Sequence, residues 1–165
     1  MKRILIFFMI LLLLPLYGCK SDTPEPEYPV TVYYKLAQPT HGSENSVIAS
    51  TTIEGEGFEN DYFTLLSRYL KGTTDPRFDR TFPRGASLVS FKLDALTAKI
   101  VLRDQFSSLS GMDLTIACVC ITRTVMEMTG CREVIIRTET TKLDGRNSIA
   151  LSADSYLLID SVSSN

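Results

Sequence analysis

Few residues in this chain are equipped for chemistry: four cysteines, one histidine and a scatter of aspartates. Cys118 and Cys120 lie two apart in a segment whose apolar residues recur at helical spacing, so their thiols point to different faces. Cys131 falls beyond the end of that segment. Along a helix axis it would stand about 16 Å from Cys120, whereas a disulfide needs Cα atoms within about 7 Å. With Cys19 set aside an odd number remains, which is no disulfide framework. Buried free thiols are the expectation, with a Cys-x-Cys metal or redox site as the alternative. His41 sits in "PTHGSE", a loop sequence, and no nucleophile on a tight turn accompanies it. Asp94 and Asp104 flank one strand and stand about 30 Å apart if it is straight, too far for a pair of carboxylates working on one glycosidic bond. Asp75, Asp79, Asp94, Asp104 and Asp113 lack calcium-loop spacing, and no metal, nucleotide or dinucleotide motif is present. The expectation is no catalytic residue, no metal site and no cofactor.

The segment "DPRFDRTFPRG" is more suggestive. Arg77, Phe78, Phe82 and Arg84, with Arg80 between them, combine the residue types that dominate interface energetics. They are candidate partner contacts. The alternative is that the loop folds back and buries its phenylalanines in the domain's own core.

The start of the chain poses a different chemical question. Met1, Lys2 and Arg3 precede "ILIFFMILLLLPL", which is free of charge from Ile4 to Leu16. As a helix this run spans about 20 Å, short of the roughly 30 Å hydrocarbon core, so it reads as a secretory signal. Leu16-Tyr17-Gly18-Cys19 resembles the lipobox of bacterial lipoproteins. The resemblance implies cleavage between Gly18 and Cys19 and lipid on the Cys19 sulfur, with the domain held on the extracytoplasmic face of the cell membrane. A plain secretory signal and an uncleaved anchor are the alternatives. The polar, proline-rich stretch through Pro29 suits an extended tether.

Two of the 17 basic residues and none of the 19 acidic ones lie in residues 1–18, so the remainder carries a net charge of −4. That disfavours nucleic acid as a partner and polybasic attraction to anionic lipid. The 147 residues left of 165 suffice for one domain with a core.

The elements that must position these residues follow from periodicity. "VTVYYKL" alternates as a strand over 30–36, with Val30, Val32, Tyr34 and Leu36 on one face. A second strand is expected over 46–54. "DYFTLLSRYLKG" predicts an amphipathic helix with Phe63, Leu66, Tyr69 and Leu70 as its stripe, Asn60 as N-cap and Gly72 past its end. "SLVSFKLD" (Val89, Phe91 and Leu93 on one face) and "TAKIVLRD" (Ala98, Ile100 and Leu102) are close enough only for a hairpin. A second helix over 113–129 ends at Gly130, and "REVIIRTET" is the last confident strand. Ile116, Val119 and Cys120 form a second apolar patch on that helix, so two of its sides must be covered. The tail around Tyr156–Ile159 is the expected cover, and a protein contact is the alternative.

From Phe58 to Gly145 the chain resembles the GerMN-type domain of sporulation and spore-germination lipoproteins. The carrying motifs are "YFTLLSRYLKG", "FPRGASLVSFKLD", "TAKIVLRDQFSSLSG" and "VMEMTGCREVIIRTE". Asp94-Ala95-Leu96-Thr97 departs from the glycine usual in the family's hairpin turn, and an Asp-Gly turn comes late, at Asp144-Gly145. The resemblance implies an α+β fold of order β-β-α-β-β-α-β, with two helices on one face of a sheet of three to five strands, similar in architecture to ring-building modules. The expected organisation is a signal over 1–18, a tether over 19–29, the domain over 30–145 and a tail over 146–165 that packs on it. Function is expected to be a non-catalytic interaction or assembly module anchored through Cys19, acting with envelope proteins or with itself. The alternative is a small lipoprotein that recognises a cell-wall glycan or peptide. A flat sheet face with an open edge would favour the first, and a deep polar cleft the second.

Overall fold

A computed structural model describes residues 28–38, 46–55 and 60–154. Gly18, Cys19, His41 and Tyr156–Ile159 lie outside the described residues.

Chain order is β1 (Pro29–Lys35), β2 (Ile48–Glu54), α1 (Tyr62–Tyr69), β3 (Leu88–Asp94), β4 (Thr97–Leu102), a 3-10 turn (Asp104–Ser108), α2 (Gly111–Thr129), β5 (Glu133–Thr138) and β6 (Ile149–Ser152). This is the expected α+β order with one strand added. Residues 149–152 pair antiparallel with β5, with Val134 opposite Leu151 and Ile136 opposite Ile149. The strands form two sheets, β1-β2 and β3-β4-β5-β6, with β4 and β5 parallel at the centre of the second.

Both helices pack on one face of the four-stranded sheet. Ala98, Ile100 and Leu102 of β4 and Val134 and Ile136 of β5 share one core with Leu66, Tyr69 and Leu70 around α1 and with Leu114, Ala117, Cys118, Ile121 and Val125 of α2. The stripe of α1 differs at one position. Phe63 is 44% exposed, and Leu65 is buried in its stead. The cap lies one residue later than expected: the Asp61 carboxylate accepts the Thr64 N–H at 3.0 Å, while Asn60 turns the chain with φ 89°. Gly130 stops α2 in the left-handed region, φ 68°, as a glycine can without strain.

β3 carries a bulge that periodicity alone does not reveal. Leu88 faces Leu102 and Ser90 faces Val101, which leaves Val89 as the extra residue. β3 therefore turns Leu88 and Phe91 to the core in place of Val89 and Phe91, while Leu93, at the turn end of the same face, is 37% exposed. The β3-β4 turn has only Ala95 and Leu96 between the paired Asp94 and Thr97. Ala95 holds φ 53° there, where a Cβ costs about 1–2 kcal/mol. Glycine loses more chain entropy on folding, by about 0.4–1 kcal/mol. Ala95→Gly is therefore expected to stabilise the fold by about 0.5–1 kcal/mol and raise its melting temperature by roughly 2–4 °C. Calorimetry showing no rise would contradict the strain at this position. The late Asp-Gly turn has both central residues at positive φ, 49° and 81°, between the mutually bonded Leu143 and Arg146, as a two-residue type I′ connection requires.

The second apolar side of α2 is covered by the two-stranded sheet. Ile116, Val119 and Cys120 pack with Ile48, and Tyr33, Val47 and Leu151 close over them. The cover is thus β1-β2 with one residue of β6. The reason is the outer edge of β1, which lies along α2 so that Thr124 Oγ1 accepts the Tyr33 N–H at 3.0 Å.

Candidate functional site

The candidate region grows out of that same edge of β1. A strand at a sheet margin offers unpaired backbone groups, and buried ones must find partners. Here Tyr33, Lys35 and, just past the strand, Ala37 find them outside the sheet. Tyr69 donates its hydroxyl to the Tyr33 carbonyl at 2.8 Å. The Lys35 N–H reaches Thr81 Oγ1 at 2.8 Å. The Lys35 carbonyl accepts from the Asp79 N–H at 2.9 Å, and the Ala37 N–H donates to the Arg77 carbonyl at 3.0 Å. The loop after α1 is thus a strap along β1.

Aromatic packing fixes it. Phe82 meets Tyr69 edge-on at 5.0 Å between ring centroids and Tyr34 at 6.1 Å, and Phe78 lies 5.6 Å from Tyr34. The Tyr34 hydroxyl donates to the Tyr69 carbonyl at 3.0 Å. Burial pushes both tyrosine hydroxyls well above their ordinary pKa, so they stay neutral donors. Phe78 and Phe82 are therefore core residues, so of the two readings of this loop the fold-back onto the core holds for the phenylalanines and the exposed partner-anchor reading does not. Arg77 and Arg84 do reach solvent. Arg77 forms a fork with Asp75, shortest contact 2.6 Å, and lies 5.3 Å from the Phe78 ring centroid.

Between the strap and the end of α1 lies an open groove of about 620 Å³. Its floor includes Tyr34, Phe78, Phe82 and Pro83, and Lys71, Arg80 and Arg84 contribute its basic groups. One carboxylate, Asp79, shares the groove and is drawn to Lys35 at 3.6 Å. Sequence reading singled out Arg84 here but missed Lys71, which sits past α1 and meets the loop only in space.

The cysteines separate as spacing predicts. Cys118 joins the main core and Cys120 the second cluster, and with Cys131 they are buried and free. Burial pushes the Cys118 and Cys120 thiols up to about 12, which withholds the reactive thiolate at neutral pH. Among the described residues no three His, Cys, Asp or Glu side chains gather as metal ligands would.

Asp104 has a role the sequence did not suggest. Its carboxylate accepts from the Thr140 and Thr141 N–H groups at 3.0 and 3.1 Å and from both threonine hydroxyls at 2.6 and 3.0 Å. This pins the 3-10 turn to the loop after β5. The Thr140 hydroxyl and the two backbone N–H groups hold the carboxyl well below the usual carboxylate range. A depressed folded pKa stabilises above the unfolded value, about 3.9, and the gain is lost as pH falls through the folded one. Asp104→Asn should thus melt below wild type by a margin widest at pH 7 that narrows as pH drops under about 4. A margin constant from neutral to acid would rule the clamp out.

With both helices on one side, no helix or strand among the described residues covers the other face of the four-stranded sheet. Ser90, Lys92, Lys99 and Arg137 are exposed there, and Val101, opposite Ser90 and Arg137, is buried. Lys92 stands directly opposite Lys99, a like-charge pairing that offers the sheet no stability. The outer edge of β3 has no backbone partner among the described residues. Its bulge and Lys92 blunt it against indiscriminate pairing.

No family model matches the chain, and no curated protein matches it in sequence. Solved structures do. The first GerMN domain of the sporulation protein GerM from Bacillus subtilis is similar at TM-score 0.54 and 15% identity, over 72% of this chain and 91% of that one. The tandem GerMN domains of the same protein match at TM-score 0.51 and 17% identity, over 74% of this chain and 44% of that one. At such identity the backbone is what is shared: this chain has a GerMN-type α+β fold.

Proposed function

We propose that this chain is a lipid-anchored, extracytoplasmic interaction module without catalytic activity, serving sporulation, germination or a related envelope process. The observation that carries the reading is the one-sided use of the sheet. Two helices cover one face, and among the described residues the other face and the β3 edge are left open. Such a surface suits docking of another protein, by face or by edge. The likeness to GerMN domains supports the process, and the Leu16–Cys19 sequence supports the anchor. Each buried methylene contributes about 0.8 kcal/mol, so the two chains of a diacylglyceryl group hold where one would hold only marginally. No helix among the described residues is long and apolar enough to cross a membrane.

Cys19→Ala is therefore expected to move from the membrane fraction to the soluble one, read by fractionation and blotting. Crosslinking of the membrane-attached wild type should capture a discrete envelope protein through the open sheet face. A Cys19→Ala protein that sediments with membranes as wild type does would refute the anchor, and wild-type protein that crosslinks to nothing would refute the module.

A further inference from the structure

We propose that the groove edged by Lys71, Arg80 and Arg84 is a docking site for an acidic peptide segment of a partner protein, one that also carries apolar side chains. The inference rests on the interaction-module reading and deepens it, by naming a second surface and the chemistry that surface takes.

Charge is the first argument. The chain is acidic overall, with a formal net charge of −2, yet this groove gathers three cations against the single carboxylate of Asp79. Asp79 is already engaged by Lys35. The side chains of Lys71, Arg80 and Arg84 are exposed, and among the described residues none has a carboxylate partner. Elsewhere some cations are matched, Arg77 with Asp75, Lys99 with Asp94 and Arg103 with Glu139; Lys92, Arg132, Arg137 and Lys142 show no carboxylate partner among the described residues either, but none of them lines this groove. Three unmatched cations around one concavity focus a positive field into it.

Preorganisation is the second. The strap's bonds to β1 and the burial of Phe78 and Phe82 fix the backbone that carries Arg80 and Arg84. Lys71 follows directly on the capped end of α1. The backbone positions that carry the cations are thus fixed around one groove before any ligand arrives, which lowers the ordering cost of binding. The groove's size, about 620 Å³, falls in the range of small-ligand and peptide sites.

The floor selects the ligand class. Half-buried Pro83 and Ala86, with the small exposed margins of the otherwise buried Phe78 and Phe82, present apolar surface in the groove. A bare polyphosphate would satisfy the charges and leave that surface wet. A peptide alternating carboxylates with apolar side chains matches both.

The test uses the full chain in detergent micelles and a fluorescein-labelled peptide of alternating glutamate and leucine, followed by anisotropy. Saturable binding is expected, weakened about tenfold or more in the Lys71→Ala/Arg80→Ala/Arg84→Ala variant, since each lost charge contact at a preorganised site contributes severalfold. It should also weaken as salt rises from roughly 50 to 300 mM and when glycine replaces leucine in the peptide. The three side chains are exposed, so the variant should melt with wild type, and Arg84→Glu alone provides a second fold-neutral variant. Equal affinity of wild type and variant for the peptide overturns the proposal. Tighter binding of polyphosphate than of the peptide overturns it in favour of a polyanion. A peptide-free dimer that the triple variant abolishes overturns it in favour of a second copy. If the triple variant binds no peptide less well yet still crosslinks to the envelope protein, the groove fails and the module reading stands. If crosslinking fails while the peptide behaves as expected, the open sheet face fails and the groove stands.

Discussion

Phe82→Ala is expected to destabilise the domain by about 3–5 kcal/mol, the usual cost of removing a buried aromatic ring. The side chain is 4% exposed and packs edge-on against Tyr69 and Tyr34. Its loss opens a cavity and loosens the strap that satisfies the Lys35 and Ala37 backbone, so the damage spreads from loop to strand. Against a total stability of about 5–15 kcal/mol for a domain, this is enough to bring the variant close to unfolding. Urea titration reads it as a lower midpoint with an unchanged slope. Arg84→Ala in the same loop should stay within about 0.5 kcal/mol of wild type. The contrast separates a core residue from a partner anchor, because an exposed anchor would lower binding and leave the midpoint alone. A Phe82→Ala midpoint equal to that of wild type would return the phenylalanine to the surface.

Val119→Asp should be as damaging, for a different reason. Val119 is 1% exposed in the cluster that joins α2 to the two-stranded sheet. A carboxylate there is desolvated, and the cation one turn on, Arg123, is already stacked on the Tyr33 ring at 4.6 Å, so burying the charge costs at least about 3 kcal/mol after relaxation. The opposite side of α2, which faces β4 and β5, is untouched. Hydrogen exchange should therefore accelerate first in β1 and β2, with the β4 and β5 amides following at higher free energy. Exchange that rises equally in both sheets would show that the two-stranded sheet is not a separable layer.

Both predictions bear on what the sequence made legible. Periodicity located both helices and five strands, and glycine at 130 marked where α2 stops, because those features depend on local backbone preference. The apolar patch at Ile116, Val119 and Cys120 announced a second covered side of α2. It did not say what covers it, since Ile48 and Tyr33 meet the patch only through tertiary placement. For Phe78 and Phe82 the sequence offered two readings, partner anchors or a loop folded back on the core, and only the placement of Tyr34 and Tyr69 beside them decides for burial. The Val89 bulge reverses which residue at the start of β3 faces inward and leaves no compositional trace. Asp104 and its two threonines are 36 and 37 residues apart, beyond any local pattern. In the candidate site Arg84 was legible as a charge in a loop, whereas its company with Lys71 and Arg80 exists only in the fold.

One consequence concerns force. β1 is bonded on both edges, to β2 along one and, at Tyr33 and Lys35, to Thr124, Tyr69 and the strap on the other. These bonds run across the strand. A pull on the residues ahead of Pro29 is directed along it, so it loads the bonds in shear and they must yield together. Had the same strand been held by one edge and drawn from the side, they would peel apart singly. The first strand of this domain is therefore seated to take tension at its leading end.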